Sequence, residues 1–75
     1  MSDHVYRVIE IVGSSERSSD DAIRAAIARA SQSLDGIDWF EVIESRGHVE
    51  DGQVKHFQVT LKVGFRIADA KGPGS

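Results

Sequence analysis

The segment that most constrains this chain is WFEVIESRGHVEDGQVKHFQVTLKVGFR, residues 39–66, two alternating runs joined by Asp51-Gly52. Asp-Gly between such runs signals a β-hairpin, because both residues accept the positive φ angles that a two-residue loop demands. A loop that short also sets the register, since residues flanking it symmetrically pair. Glu50 then faces Gln53, Ser45 faces Gln58, and the ladder continues through Val42/Leu61, Glu41/Lys62 and Phe40/Val63 to Trp39/Gly64. Ideal alternation gathers Phe40, Val42, Phe57, Val59, Leu61, Val63 and Phe65 on one face. Trp39, Glu41, Ile43, Ser45, Gln58, Thr60, Lys62 and Arg66 fall on the other. The first is a core side; the second is a working side that carries the chain's one tryptophan.

Upstream, residues 4–13 (HVYRVIEIVG) have the β-branched and aromatic content of a strand, with Gly13 as its stop. Tyr6, Val8 and Val12 lie on one face, Val5, Ile9 and Ile11 on the other, so both faces ask for cover. After the polar run 14–19, Ser18 or Ser19 is an N-cap and Asp20 and Asp21 favour a helix start. Ile23, Ala26, Ile27, Ala30 and Leu34 recur at helical spacing, which predicts a helix to about Leu34 with Gly36 as the stop. The expected fold is α+β: a β-α-β-β chain whose three-stranded antiparallel sheet has the order 1-3-2. The helix covers the Phe40/Leu61 face and the other face is bare.

Seventy-five residues allow one domain, assigned to residues 1–67; ADAKGPGS, residues 68–75, reads as a disordered tail. A chain this short buries only about 60% of its unfolded surface, so a lone protomer is marginal. There is no cysteine to supply a disulfide or a thiolate zinc site, and association is the remaining route to stability. Nothing near the N-terminus has the form of a signal peptide and no run approaches the ~20 apolar residues of a membrane span, so a cytoplasmic protein is expected. A net charge of −3 argues against a general nucleic-acid binder. An RNA-recognition sheet would also need more stacking aromatics than Trp39 alone.

Two residues on the working face call for a flat ligand. Trp39 is either a plug in an interface between chains or a stacking platform, and its partner Gly64 leaves the ring open to something flat. Gln58 is either solvated or paired with the edge of a heterocycle, which offers both a donor and an acceptor. The two lie roughly 20 Å apart along the hairpin, so one small ring reaches both only between two protomers. Arg46-Gly47-His48 reads as a solvated strand end, and Glu41/Lys62 as a cross-strand ion pair. His4, His48 and His56 have no metal-ligand spacing, so no metal is expected. No phosphate loop, nucleophile elbow or catalytic constellation is present, and Glu10 stands without a partner base or nucleophile; an enzyme is not expected.

The strings VYRVIEIVGSSERS, WFEVIESRGHV and HFQVTLKVGFRI, spanning residues 4–67, resemble the dodecins, small flavin-binding proteins, in their bacterial form. That resemblance implies an antiparallel sheet wrapped on one helix, assembly into a hollow homododecamer, and flavins sandwiched in pairs between tryptophans of neighbouring subunits. By the same likeness Trp39 is the stacking residue, Gln58 hydrogen-bonds the isoalloxazine edge, and Arg46 belongs to the flavin site. Ideal alternation puts Arg46 on the helix side, so that role requires a bulge near Gly47 or a reach from a neighbouring chain. The implied function is storage of FMN (or riboflavin) with quenching of its photochemistry. The alternative is a ligand-free oligomerisation or adaptor module. Some bacterial members also bind coenzyme A; Arg7, Arg29, Gln32 and Arg66 are the candidates for its phosphates, though no motif singles it out.

Overall fold

The computed structural model describes residues 4–67, so the expected tail at 68–75 lies outside the described residues. Four elements follow one another: β1 (Tyr6–Ser15), α1 (Ser19–Ala30), β2 (Ile37–Glu50) and β3 (Gln53–Arg66). The strands form one antiparallel sheet in the order β1-β3-β2, as the β-α-β-β pattern predicts. The turn is the expected one: Asp51 (φ 54°) and Gly52 (φ 74°) both take the left-handed conformation, and Glu50 pairs with Gln53. Two positive φ angles in a two-residue loop give a backbone twist that matches the flanking strands.

Strand β1 does not stop at Gly13 but runs on to Ser15. Gly13 is there for the helix. A Cβ on it would collide with the Ala22 carbonyl oxygen and come within 2.8 Å of Ala26 Cβ, so α1 rests on bare backbone. Helix α1 begins where the sequence places it: Ser18 caps it, its side chain accepting from the Asp21 N–H at 3.0 Å. The helix ends at Ala30, one turn short of Leu34. Over Ser31, Gln32 and Ser33 the bonds tighten, with Gln32 N–H donating to Arg29 O (3.1 Å) and Ser33 N–H to Ala30 O (3.0 Å). Polar side chains that compete for the backbone favour that unwinding over another helical turn. Gly36, at φ 78°, does not stop the helix; it steers the chain into β2.

The core consists of Ala22 and Ala26 from α1 against Val59, Leu61 and Val63 of β3, with Ile9, Ile11, Ile23, Ile27 and Ile37 packed around it. Ala22, absent from the expected stripe, is fully buried. The helix lies mainly on β1 and β3, with β2 at its margin. Leu61 is covered as expected, but Phe40 and Val42, on the same side, remain 46% and 44% exposed. A helix about 10 Å wide spans two strands spaced about 4.8 Å apart, not three. Tyr6, Val8 and Val12 are exposed on the opposite face, which is bare as expected.

Replacing Gly13 with alanine is expected to destabilise the fold by about 1–3 kcal/mol, the usual cost of overpacking a tight contact. Urea unfolding followed by far-ultraviolet circular dichroism measures it, and an unchanged midpoint would show that the helix can shift freely.

Candidate functional site

The helix-free face of the sheet holds the candidate site, and the placing of its polar end depends on two of the three irregularities in the hairpin that ideal alternation omits, the third being at Asp38 beyond Trp39. From the turn, the pairs Glu50/Gln53 and Val49/Val54 follow the expected register; then His48 pairs with His56, leaving Lys55 as an extra residue on β3. The shifted register persists through Gly47/Phe57, Arg46/Gln58, Ser45/Val59 and Glu44/Thr60. Ile43 is then the extra residue on β2, and Val42/Leu61, Glu41/Lys62, Phe40/Val63 and Trp39/Gly64 are as expected. One inserted residue on each strand cancels the other. Between the two bulges, however, every β2 side chain exchanges faces.

This overturns the Ser45/Gln58 pairing and the placement of Arg46. Ser45 now faces Val59 on the helix side, while Arg46 joins Gln58 on the open face. The Arg46 Nε–H donates to Gln58 Oε1 at 2.9 Å. That bond takes one lone pair of the amide oxygen and fixes which way the amide faces, leaving the amino group free to donate. Ser14 of β1 lies on the other side of Gln58 in the same row. Together with Gly47, His48 and His56, these residues line a pocket of about 300 Å³. The His48/His56 pair was missed in the sequence because the ideal register does not oppose them; it takes the Lys55 bulge to do so.

Trp39 lies at the other end of the hairpin. A Cβ on Gly64 would collide with Cε2 and Cζ2 of the indole, so the ring lies directly over the glycine backbone. Gly64 therefore does more than leave the ring open: it lets the ring settle on the sheet. The side chain is still 39% exposed, and Tyr6 stands beside it with ring centroids 6.3 Å apart and planes inclined by 57°. Tyr6 was not foreseen as a neighbour because the β1–β3 register is set across the helix, not by a short turn. Gln58 and Gly64 lie six positions apart on β3 (58 to 64), roughly 20 Å at strand rise, so Trp39 and Gln58 do not meet within one chain.

The four residues weighed for coenzyme A do not converge. Arg7 pairs with Phe65 and Arg66 with Tyr6, which puts the two arginines on opposite faces; Arg29 is in the last turn of α1 and Gln32 just beyond it. Arg66 Nη2 instead lies 3.4 Å from His4 Nε2. Glu41 and Lys62 are opposite in register, but the ion pairs that form among the described residues are Arg24–Asp21 and Arg46–Glu44, and His56 Nε2 lies 3.8 Å from Glu16 Oε2. Among the described residues no group of three histidine, aspartate or glutamate side chains is placed to hold a metal ion, and no helix is long and apolar enough to cross a membrane.

The family model described as Dodecin matches residues 5–68. The chain is 49% identical over 65 residues to a dodecin of Thermus thermophilus, an alignment covering 87% of this chain and 94% of that protein. It is 34% identical over 67 residues to a protein of Mycobacterium tuberculosis named calcium dodecin, covering 89% and 94% of the two. Among solved structures, dodecin from Streptomyces coelicolor superposes with a TM-score of 0.86 at 56% identity, covering 93% of this chain and 100% of that one. With the same strand–helix–hairpin topology and matches along nearly all the described residues, this chain belongs to the dodecin family.

Proposed function

We propose that this chain binds a flavin, FMN or riboflavin, at a seam between its own copies, and serves to store it and shield it from light without turning it over. The observation that carries this reading is the indole of Trp39, seated over Gly64 and still 39% exposed, on the same bare side of the sheet as the Arg46–Gln58 pair. An isoalloxazine ring needs an aromatic surface for its plane and polar partners for its edge, and this face supplies both. Because roughly 20 Å separates the two features in one chain, the ring has to sit where two chains meet, with Trp39 and Gln58 drawn from different protomers. The exposed apolar side chains on both faces of β2, Phe40 and Val42 on one and Trp39 on the other, support assembly into a closed homo-oligomeric shell such as a dodecamer.

Stacking an electron-rich indole on a photoexcited flavin opens electron transfer from the indole, which returns the flavin to its ground state before it reacts. Trp39, Gln58 and Arg46 are the residues assigned to this site: a stacking plane, an edge donor and the cation that orients that donor. Coenzyme A, if taken up as a second ligand, would need the scattered Arg7, Arg29, Gln32 and Arg66 to be gathered from several protomers. The relative named for calcium offers a competing ligand, but the described residues here gather no carboxylate cluster for it.

Titrating the apo-protein into FMN is expected to extinguish flavin fluorescence at stoichiometric protein; unchanged emission would leave the adaptor reading standing in its place. Trp39→Ala is expected to weaken binding by about 1–3 kcal/mol, by analogy with base–aromatic stacking, while the native mass stays that of the assembly. A variant that falls to monomers would make Trp39 an interface plug. Gly64→Ala separates the ring's position from its presence. The added methyl group displaces the indole, so flavin affinity should drop with the tryptophan still present, and unaltered affinity would show that the pose over Gly64 is not used.

A further inference from the structure

We propose that Tyr6 is a positioning residue for the stacking site: it clamps the indole of Trp39 from β1, so that the aromatic surface is in place before a ligand arrives. This rests on the flavin reading above. The chain's one tyrosine and one tryptophan stand on the two edge strands, which pair with β3 and not with each other. Val8 of β1 and Trp39 of β2 are both opposite Gly64, and Tyr6 is opposite Arg66, two residues further along the same face. Gly64 has no side chain, so the middle strand leaves a gap between the edges. The indole lies across that gap, where a Cβ on Gly64 would collide with Cε2 and Cζ2. There it meets Tyr6, with centroids 6.3 Å apart and planes inclined by 57°. Such a separation and tilt belong to attractive aromatic pairs.

Strand β2 gives the ring little support at this end. Arg66 N–H donates to Gly36 O at 3.2 Å, so the residue bonded there is a second glycine with no side chain to wall the indole. The wall comes from β1, and its backbone is fixed: Tyr6 pairs with Arg66, and Ile67 N–H donates to Val5 O at 2.9 Å. The tilt matters as much as the distance. A phenol stacked parallel on the indole would occupy the place of a flat ligand, whereas at 57° the rings are not stacked and the tryptophan keeps 39% of its surface exposed. Tyr6 thus holds the ring without standing in for the ligand. An indole left loose has to be ordered when the ligand binds, which weakens binding; a clamped one is ordered already.

The test uses the assembled full chain with Trp39 as reporter, since it is the only source of tryptophan emission. In the ligand-free assembly its time-resolved anisotropy should show the slow tumbling of the whole particle and no fast local component. Tyr6→Leu should introduce the fast component and weaken FMN binding roughly threefold to tenfold, the range for ordering one side chain, at unchanged native mass. Tyr6→Phe keeps the ring and should restore both. In the Trp39→Ala background, Tyr6→Leu should weaken FMN binding no further, because Tyr6 acts through the indole. A fast component already present in the parent chain would overturn the clamp, and that measurement decides even if Tyr6→Leu does not assemble. Equal FMN affinity of the parent and Tyr6→Leu would overturn it too. So would a loss that persists undiminished without Trp39, which would make Tyr6 a direct ligand contact. Failure of the parent chain to bind FMN at all would overturn the flavin reading, and the clamp with it.

Discussion

The rest of the structure depends on how closely α1 can approach the sheet. Three small residues set that distance: Ala22 and Ala26 on the helix and Gly13 beneath them. Close approach lets Val59, Leu61 and Val63 of the middle strand be fully buried by a helix of modest size. It also limits what that helix can do. Twelve helical residues rise about 18 Å, while the fourteen-residue strands of the hairpin reach roughly 45 Å. The helix therefore covers β1, β3 and one portion of the sheet, and the molecule extends to 60 × 20 × 13 Å. Large apolar side chains on β2 and on the far face are left in contact with water, a costly arrangement for a chain with so small a core. Association follows from the same geometry that makes the core possible.

The second organising device is the pair of compensating bulges. An insertion at Lys55 and another at Ile43 cancel, so the pairs from Val42/Leu61 to Trp39/Gly64 keep the register set by the turn; a further shift at Asp38 then brings Ile37 opposite Phe65. Only the intervening segment rotates, and it carries the polar groups of the open face. Glu44, Arg46 and His48 come to the side of Gln58, and Ser45 and Gly47 go to the side of the helix. A hairpin without bulges would have kept the same core and lost the Arg46–Gln58 bond. Electrostatics has little part in holding the fold together: the ion pairs are long and exposed, and such pairs contribute about 0–1 kcal/mol. The charges are thus available to a ligand.

Much of the fold was legible in the residues themselves, and the reasons are local. Asp51-Gly52 admits one kind of loop, that loop dictates the first pairs, and period-two alternation carries the register onward. Ser18 with Asp20 and Asp21 marks the helix start by the same kind of short-range chemistry. The signals that misled were those where a local preference met a tertiary demand. Gly13 looks like a strand terminator but answers a helix lying against it. Leu34 has helical spacing, yet the Ser31-Gln32-Ser33 run unwinds before reaching it. Phe40 shares a face with Leu61, but cover depends on where the helix ends up across the sheet.

The sequence by itself determined the topology, the hairpin turn and the central place of β3, because each follows from contacts between near neighbours or from a repeating period; the pairing of Trp39 with Gly64 agrees with that period only because the two bulges cancel. Only the tertiary structure decided where that period slips, and so which face Arg46 and the two histidines occupy. A β-bulge adds one residue with no obligatory marker in composition, and its energy is settled by the packing on both sides of the strand. It likewise decided that the indole lies over Gly64, a side-chain choice that the register alone leaves open, and that Tyr6 stands beside it, since β1 meets β3 through the helix crossover.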